Sequence, residues 1–496
     1  MKRRVLTIPS RRVLAVALAL ASGGGVMHPA LLMSQALPHT LATLSETDSI
    51  TALPWDDGQQ DLPCTQCNPP KRFWAGFGEL MLVQAIPWAF TRYVRDGEWS
   101  RISPDTWITN LKFAWQWDNN KFANNQFAHP YHGSLYYNTG RTNGYNFWAS
   151  LPWAFGGSLM WEEFGEVWAP APNDFFNTSL GGITLGEMLY RFSSLTLDNQ
   201  ARGSNRVVRE VGATLINPVR GFNRLVRGEM SEISANPPDW RPSKLQAAMD
   251  VGYRRFSTSG QVSDAGALDQ FFVRFNVVYG DQLLDLNKAP FSAFTLTGTL
   301  STHSDTRGAI ADLVVRGNLG SRSLGDDPAR LQLAAFMTYD YISNEVIDFG
   351  GQGFMGGVIA QSDRTKKVIY HGEALARFMP IAAIRSDYFV TAEGRDYDYG
   401  VGLGGRLAGS AVYRGKGILL VHGGYLWLPV VSGFSGNHHL FTLGGEVRGY
   451  YKGKYGAGLA YERLWRRSHY TFLPDVDQND SEVRAFLSLT IPRWEQ

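Results

Sequence analysis

Apolar positions along this chain keep two different periods. Between residues 71 and 235 they recur at three- and four-residue steps, the spacing of one helical face. Phe73, Phe77, Leu80, Met81 and Gln84, widened by Trp74, mark a first helix from about Lys71. Ser103-Pro104-Asp105 reads as an N-cap followed by Pro in the first turn, ahead of Trp107, Leu111, Ala114 and Trp115 on one face. Phe147, Leu151 and Phe155 mark another helix, with Pro152 as a kink. Leu185, Met188, Phe192 and Leu195 mark the next, with Thr178 or Ser179 as its cap. Val207, Val208, Val211 and Leu215 mark a further one, ended by Asn217-Pro218.

The segment NPPDWRP, Asn236 to Pro242, breaks this pattern, and beyond it the period falls to two. Val273, Phe275, Val277 and Tyr279 share one face of a strand, and Arg274 and Asn276 take the other. Near the end Val483, Ala485, Leu487, Leu489 and Ile491 oppose Arg484, Ser488 and Thr490. Similar strands start near Ala248, Phe291, Ile310, Leu331, Gly353, Lys366, Ile384, Tyr399, Gly417, Leu440 and Gly456. Glycine-rich turns at Tyr413 to Gly417 and Tyr451 to Gly456 separate some of them. The expected fold class is α+β: a mostly helical domain over residues 71–235, then an antiparallel β-barrel of about 12 strands over 243–496. Its apolar face points at lipid, with Tyr and Trp at the interfaces. A soluble β-sandwich or barrel alternates in the same way and is the competing architecture.

The first residues change the picture of where this happens. A basic stretch, MKRRVLTIPSRR, precedes about a dozen apolar or small residues, too short to span a bilayer as a helix and suited to a secretory signal. Residues 1–36 read as the signal peptide, with Ser34-Gln35-Ala36 a cleavage site and Ala21 to Gly23 an alternative. An uncleaved anchor is the other reading. Residues 37–70, rich in Pro, Thr, Asp and Ser, read as a flexible linker. Cys64 and Cys67 are the two cysteines, and in an exported protein they suit a short-loop disulfide better than a metal or redox motif.

Composition limits the partners. The net charge of +2 favours neither nucleic acid nor a strongly anionic partner. Charged residues make up only 19%, and mean hydropathy is -0.20 with no long apolar run after the signal. A membrane barrel fits this, because its strands alternate.

Residues Phe122 to Arg191 pack His, Asn, Arg, Glu and Asp among aromatics and glycines. His129 and His132 lie three apart, but Pro130 and Gly133 argue for a turn there. Glu162 and Glu166 are one helical turn apart and share a face with Ser158. With Asp174 and Arg141 these residues form the candidate catalytic set. A His/His/Glu/Glu/Asp group could hold a metal or supply a general base and acid, and burial beside Trp161 and Trp168 would raise the carboxylate pKa values. The plainer reading pairs Arg141, Arg191, Glu162, Glu166 and Glu187 as ion pairs in a packed helical core. Gly181-Gly182 suits close backbone packing, with no Lys-Ser/Thr of a nucleotide loop after it. No GxSxG elbow is present, so a hydrolase built on Ser150 or Ser158 has little behind it.

The ordered stretches HPYHGSLYYN (129–138), RTNGYNFW (141–148), GSLMWEEFGE (157–166), Asn173-Asp174, GGITLGEMLYR (181–191) and NPVRGFNRL (217–225) resemble the bacterial family catalogued as domain of unknown function 3943, over about 122–228. The resemblance implies an exported envelope protein of Gram-negative bacteria and brings no activity, substrate or catalytic residue. The leading expectation is an outer-membrane β-barrel of structural or transport-related role, its helical domain facing the periplasm or plugging the barrel. The alternatives are an envelope lipid hydrolase or acyltransferase with its site in the helical segment, and a periplasmic binding module on a barrel anchor. Outer-membrane lipid and the barrel-assembly machinery are the expected partners. Cofactor and metal are left unspecified.

Overall fold

The computed structural model describes residues 62–258, 268–286, 288–302, 309–327 and 330–495. The signal peptide and nearly all of the linker lie outside them. Cys64 and Cys67 are disulfide-bonded. The described chain forms two compact units. One comprises Asn68–Asp118 and Ala128–Ile233; the other comprises the barrel from Ser234 together with Asn119–Phe127.

The first unit is helical: α1 (Phe73–Phe90), α2 (Pro104–Lys112), α3 (His129–Arg141), α4 (Phe147–Phe164), α5 (Pro172–Phe176), α6 (Gly182–Thr196), α7 (Gly203–Ile216) and α8 (Pro218–Val226). Local chemistry sets several starts. Ser103 accepts from the Thr106 amide while the Thr106 hydroxyl accepts from the Ser103 amide, a capping box on α2. Asn146 caps α4, and Asn217 caps α8 with Pro218 in its first turn.

Four sequence readings need correction here. α2 stops at Lys112, where Phe113 turns extended (ψ 152°), so Ala114 and Trp115 lie beyond it. His129 to Gly133 is helix, because Pro130 falls in the first turn of α3, where its missing amide proton is tolerated. α4 ends at Phe164, so Glu166 does not continue the helical face of Ser158 and Glu162. Thr178 and Ser179 sit inside a π-helical stretch, Asn177–Gly181, that runs straight into α6, and neither caps it.

The crossing of α3 with that stretch requires glycine. A Cβ on Gly133 would collide with the Thr178 carbonyl, and one on Gly182 with the backbone of Gly133. Beside an apolar cluster of Leu80, Tyr136 and Trp153, the interior of the unit carries many polar groups. Asn138 donates to the Ser134 and Gly186 carbonyls and accepts from Asn217. Glu79 accepts from Asn143 and Asn223. Arg224 grips Glu210 at 2.7 Å.

The second unit is a closed antiparallel barrel of twelve strands: β1 (Lys244–Ser257), β2 (Leu268–Tyr279), β3 (Phe294–Ser301), β4 (Ile310–Ser323), β5 (Leu331–Ser343), β6 (Asp348–Gln361), β7 (Val368–Arg385), β8 (Tyr397–Tyr413), β9 (Gly417–Ser432), β10 (Gly436–Tyr451), β11 (Tyr455–Tyr470) and β12 (Val476–Glu495). Each strand pairs with its sequence neighbour, and β12 returns to β1. Ile384 begins no strand of its own; it ends the 18-residue β7, whose irregularity near Met379 breaks the alternation there. Gly353, Tyr399 and Leu440 likewise lie inside β6, β8 and β10.

Alternation sorts the side chains. Val251, Phe271, Leu403, Leu407, Val421, Leu443, Leu459 and Leu487 are exposed on the outer wall. Tyr370, Tyr413, Tyr451 and Tyr455 ring the end with the short turns, and Tyr253, Tyr425, Trp427 and Tyr461 lie further along their strands. An apolar belt between aromatic rings is the surface of a barrel in lipid.

The opposite faces carry charge into the lumen. Arg274 of β2 binds Asp250 of β1 at 2.8 Å and reaches Glu446 of β10 at 3.0 Å. Arg448 of β10 returns to Asp250 at 3.1 Å. Arg316 of β4 and Arg406 of β8 share Glu373 of β7 at 2.8 and 2.9 Å. Several of these pairs join strands that are not neighbours, so they cross the lumen. Removing Asp250 would leave two buried guanidiniums short of a partner. The variant Asp250→Ala is expected to lose roughly 3–5 kcal/mol, seen as unfolding of the compact, fast-migrating gel band at a lower temperature than in the parent protein.

Candidate functional site

Five of the six sequence candidates belong to one neighbourhood of the helical unit. α3 begins with His129, whose Nε2 lies 3.9 Å from Asp174 Oδ1 of α5. Its Nδ1 faces the Thr178 hydroxyl at 3.3 Å. Asp174 accepts from Asn173 at 2.6 Å, and Asn173 in turn accepts from the Asp118 amide at 2.9 Å. Glu162, near the end of α4, accepts from the Ala171 amide at 2.8 Å. Glu166 follows in the loop, where its carbonyl accepts from Asn110. His132, one turn beyond His129, packs its ring on Tyr136 and Trp161, with Nε2 3.4 Å from the Val83 carbonyl.

Arg141 goes elsewhere. It joins Arg191 on Glu187 at 2.8 and 2.9 Å, with the Tyr137 hydroxyl donating to the same carboxylate. Burial would push Glu187 up; the two guanidiniums outweigh it and hold the group below its ordinary value. This is the ion-paired helical core that the Glu187/Arg191 spacing suggests.

The acid group behaves oppositely, because no cation sits among it to offset burial. Burial pushes Glu162 up to about 8, and the neighbouring Asp118 and Glu163 charges add to this against the Ala171 hydrogen bond. Burial first, and Glu162 and Asp118 second, raise Glu166 well above the carboxylate range. Asp174 rises for the same reasons, despite its bond from Asn173. Burial lowers His129 against the pull of Asp118. It lowers His132 to about 4, against its Val83 contact.

At neutral pH the cluster is thus a set of protonated acids beside neutral imidazoles. Such a set can hold and pass protons. It does not make a metal cage: among the described residues no group of three or more His, Cys, Asp or Glu is arranged to hold a metal ion. A serine nucleophile is not assembled either. Ser150 and Ser158 donate to the Asn146 and Phe175 carbonyls. Sequence reasoning missed Asp118, which lies in WQWDNN just outside the motif-rich stretch and shows no spacing signal of its own.

A second feature lies in the barrel. At the mouth away from the short turns, Phe256, Val346, Ile347, Phe349, Met379 and Leu428 form a buried apolar cluster on the inner face. Beneath it opens a cavity of about 130 Å³, with Arg377, Arg406 and Glu462 in its lining. The periodicity of the strands does not show this patch, because inward apolar residues there break the polar-in rule.

Closed pairing and the apolar belt together define an outer-membrane β-barrel protein with a helical segment before it. Residues 114–219, most of that segment, match the family model described as Domain of unknown function (DUF3943). A comparison with curated proteins finds no match. Among solved structures, the NanC porin is 13% identical with a TM-score of 0.27, covering 49% of this chain and 98% of its own. An outer membrane channel from Pseudomonas putida F1 is 10% identical with a TM-score of 0.26, covering 49% and 95%. The translocator domain of the autotransporter NalP from Neisseria meningitidis is 10% identical with a TM-score of 0.24, covering 49% and 88%. Overlaps this loose carry no functional inference, and the membrane character of the barrel rests on its own surface.

The acid cluster has a pH signature. Glu162, Glu166 and Asp174 are raised, so their contribution to stability is complete below the unfolded carboxylate range and is lost as pH climbs through the folded values, about 8 for Glu162. His129 and His132 are lowered, so theirs is complete above the unfolded imidazole value and is lost as pH falls, toward about 4 for His132. Melting of the helical unit, followed by near-ultraviolet circular dichroism in detergent, is expected to drop by roughly 5 °C or more from neutral to mildly alkaline pH. Glu162→Gln keeps an acceptor for the Ala171 amide and should flatten that drop; an unchanged pH slope would refute the assignment.

Proposed function

We propose that this protein is a closed outer-membrane barrel with a structural role in the envelope, holding its helical segment at the membrane rather than conducting solutes freely. The observation that carries this reading is the closure of the lumen by the barrel's own groups. Ion pairs cross its middle, as described above. At the short-turn end the β2–β3 loop folds inward, where Leu283 and Leu286 pack on Phe336, Met355, Ile359 and Leu375. Arg364 clamps that loop through both oxygens of Asp281, at 2.9 and 3.0 Å. At the other end Gln478 donates to the Val346 carbonyl, and Arg466 and Tyr470 hold the β7–β8 loop through the Arg385 carbonyl and Asp387.

The helical segment, in this reading, reaches the envelope together with the barrel, since a secretory signal delivers the chain to the periplasm before the barrel inserts. Outer-membrane lipid and the barrel-assembly machinery are its partners. The apolar cavity favours a second reading, in which a small amphipathic molecule binds at the barrel mouth and moves when the loops open. The lipid-enzyme reading gains no such support, because among the described residues neither a nucleophile–base pair nor a metal site is assembled.

Full-length protein in planar lipid bilayers tests the proposal. The parent chain should show no steady conductance, and Arg274→Ala with Arg448→Ala should admit current steps by removing the cross-lumen pairs. A stable, ohmic, porin-like conductance from the unmodified protein would overturn it.

A further inference from the structure

Several helices of the helical unit turn an apolar face outward and bury charged or amide side chains. On α7, Val207, Val208, Val211 and Leu215 face outward, with Val208 70% exposed, while Arg206 and Glu210 are buried. On α8, Leu225 and Val226 are exposed, and Asn223 and Arg224 are buried. On α2, Ile108 and Leu111 are exposed, and Asn110 is buried. On α1, Trp74 is 79% exposed, with Phe73, Met81 and Leu82 also exposed, while Glu79 and Gln84 are buried. The buried groups are satisfied within the unit. Arg206 alone donates to the carbonyls of Asn199, Glu229, Met230 and Glu232. Soluble domains bury such apolar stripes and expose such charges.

We propose that this outer face of the helical unit rests against lipid acyl chains. Three observations favour lipid over a protein partner. First, the exposed apolar residues lie on at least four helices; a single docked protein covers one patch. Second, exposed Trp74, Trp107, Trp115, Trp148 and Trp168 supply the amphipathic rings that settle at a membrane interface. Third, one nine-residue segment that interrupts the helical unit is pinned to the lipid-facing wall of the barrel.

That pin is Asn119–Phe127, which belongs to the barrel unit. Phe122 stacks on Tyr341 and meets the edge of Tyr397. Tyr397 donates to the Asn120 carbonyl at 2.8 Å, and Tyr339 to the Gln126 carbonyl at 2.6 Å. Tyr339 and Tyr341 alternate with Asp340, whose carboxylate pairs with Arg377 inside the lumen, so the two tyrosines lie on the outer wall. The unit also ends at Ile233, only ten residues before β1, a reach of at most about 35 Å. No described helix is long and apolar enough to cross a membrane. The helices therefore lie along the interface, as in monotopic proteins.

Full-length protein reconstituted in phosphatidylethanolamine–phosphatidylglycerol vesicles tests this. Nitroxide labels go singly on Val208→Cys, Leu215→Cys and Val226→Cys, in a background carrying C64S and C67S. Leu487→Cys on the outer wall reports lipid, and Glu393→Cys in the β7–β8 loop reports water. The three helical labels should relax with oxygen and resist a nickel chelate, with an oxygen-to-nickel ratio within about twofold of that at position 487. A nickel response like that at position 393 would overturn the proposal. So would labels reached by neither reagent and broadened by spin-spin coupling, since a second copy would then cover the face. The inference rests on the membrane reading of the barrel, which the label at position 487 checks by itself.

Discussion

Closure of β1 on β12 is the constraint on which the rest of the barrel depends. In lipid no water satisfies a free strand edge, so every backbone amide and carbonyl must find a partner in the sheet. Twelve strands achieve this by simple nearest-neighbour pairing around the ring. Once the ring closes, the two-residue period divides each strand into a wall for lipid and a wall for the lumen. The inward positions then converge from all sides, and charges from distant strands meet: Arg274 and Arg448 meet Asp250 and Glu446 because closure places β1, β2 and β10 around one axis.

Those charges are buried, and burial of ions is costly unless they are paired. The pairing ties strands together across the lumen, and inward loops meet it at both ends. The same logic governs the helical unit. Many of its carboxylates, amides and guanidiniums are turned inward and tied to one another, beside an apolar cluster of Leu80, Tyr136 and Trp153, while several helices show apolar side chains outward.

The acid cluster is the exception to this pattern of pairing. Glu187 has two guanidiniums and a tyrosine; Glu210 has Arg206 and Arg224. Glu162 and Asp174 have amide donors, Glu166 lies near them, and the imidazoles beside them are kept neutral by burial. A buried acid without a cation lowers its cost by keeping its proton. That leaves a proton-bearing site in the most densely specified part of the chain, next to the Gly133–Gly182 crossing that brings its elements together.

Periodicity alone determined a great deal: the change from helix to strand near Asn236, the strand number to within one, and the Glu187–Arg191 pair implied by i, i+4 spacing. Local patterns are legible because they follow from backbone geometry, which each segment carries with it. The extra strand at Ile384 arose because a bulge in β7 mimics a break. The helical faces of Phe73, Trp107 and Val208 were legible as faces, but the sequence does not say which solvent they meet. Only the tertiary structure decided that the apolar stripes point outward and that Asp118 joins Glu162 and Asp174. It also decided that Arg141 leaves His129, and which charges meet across the lumen. Each of these depends on residues far apart in sequence being brought together, and no local period records which of them will meet.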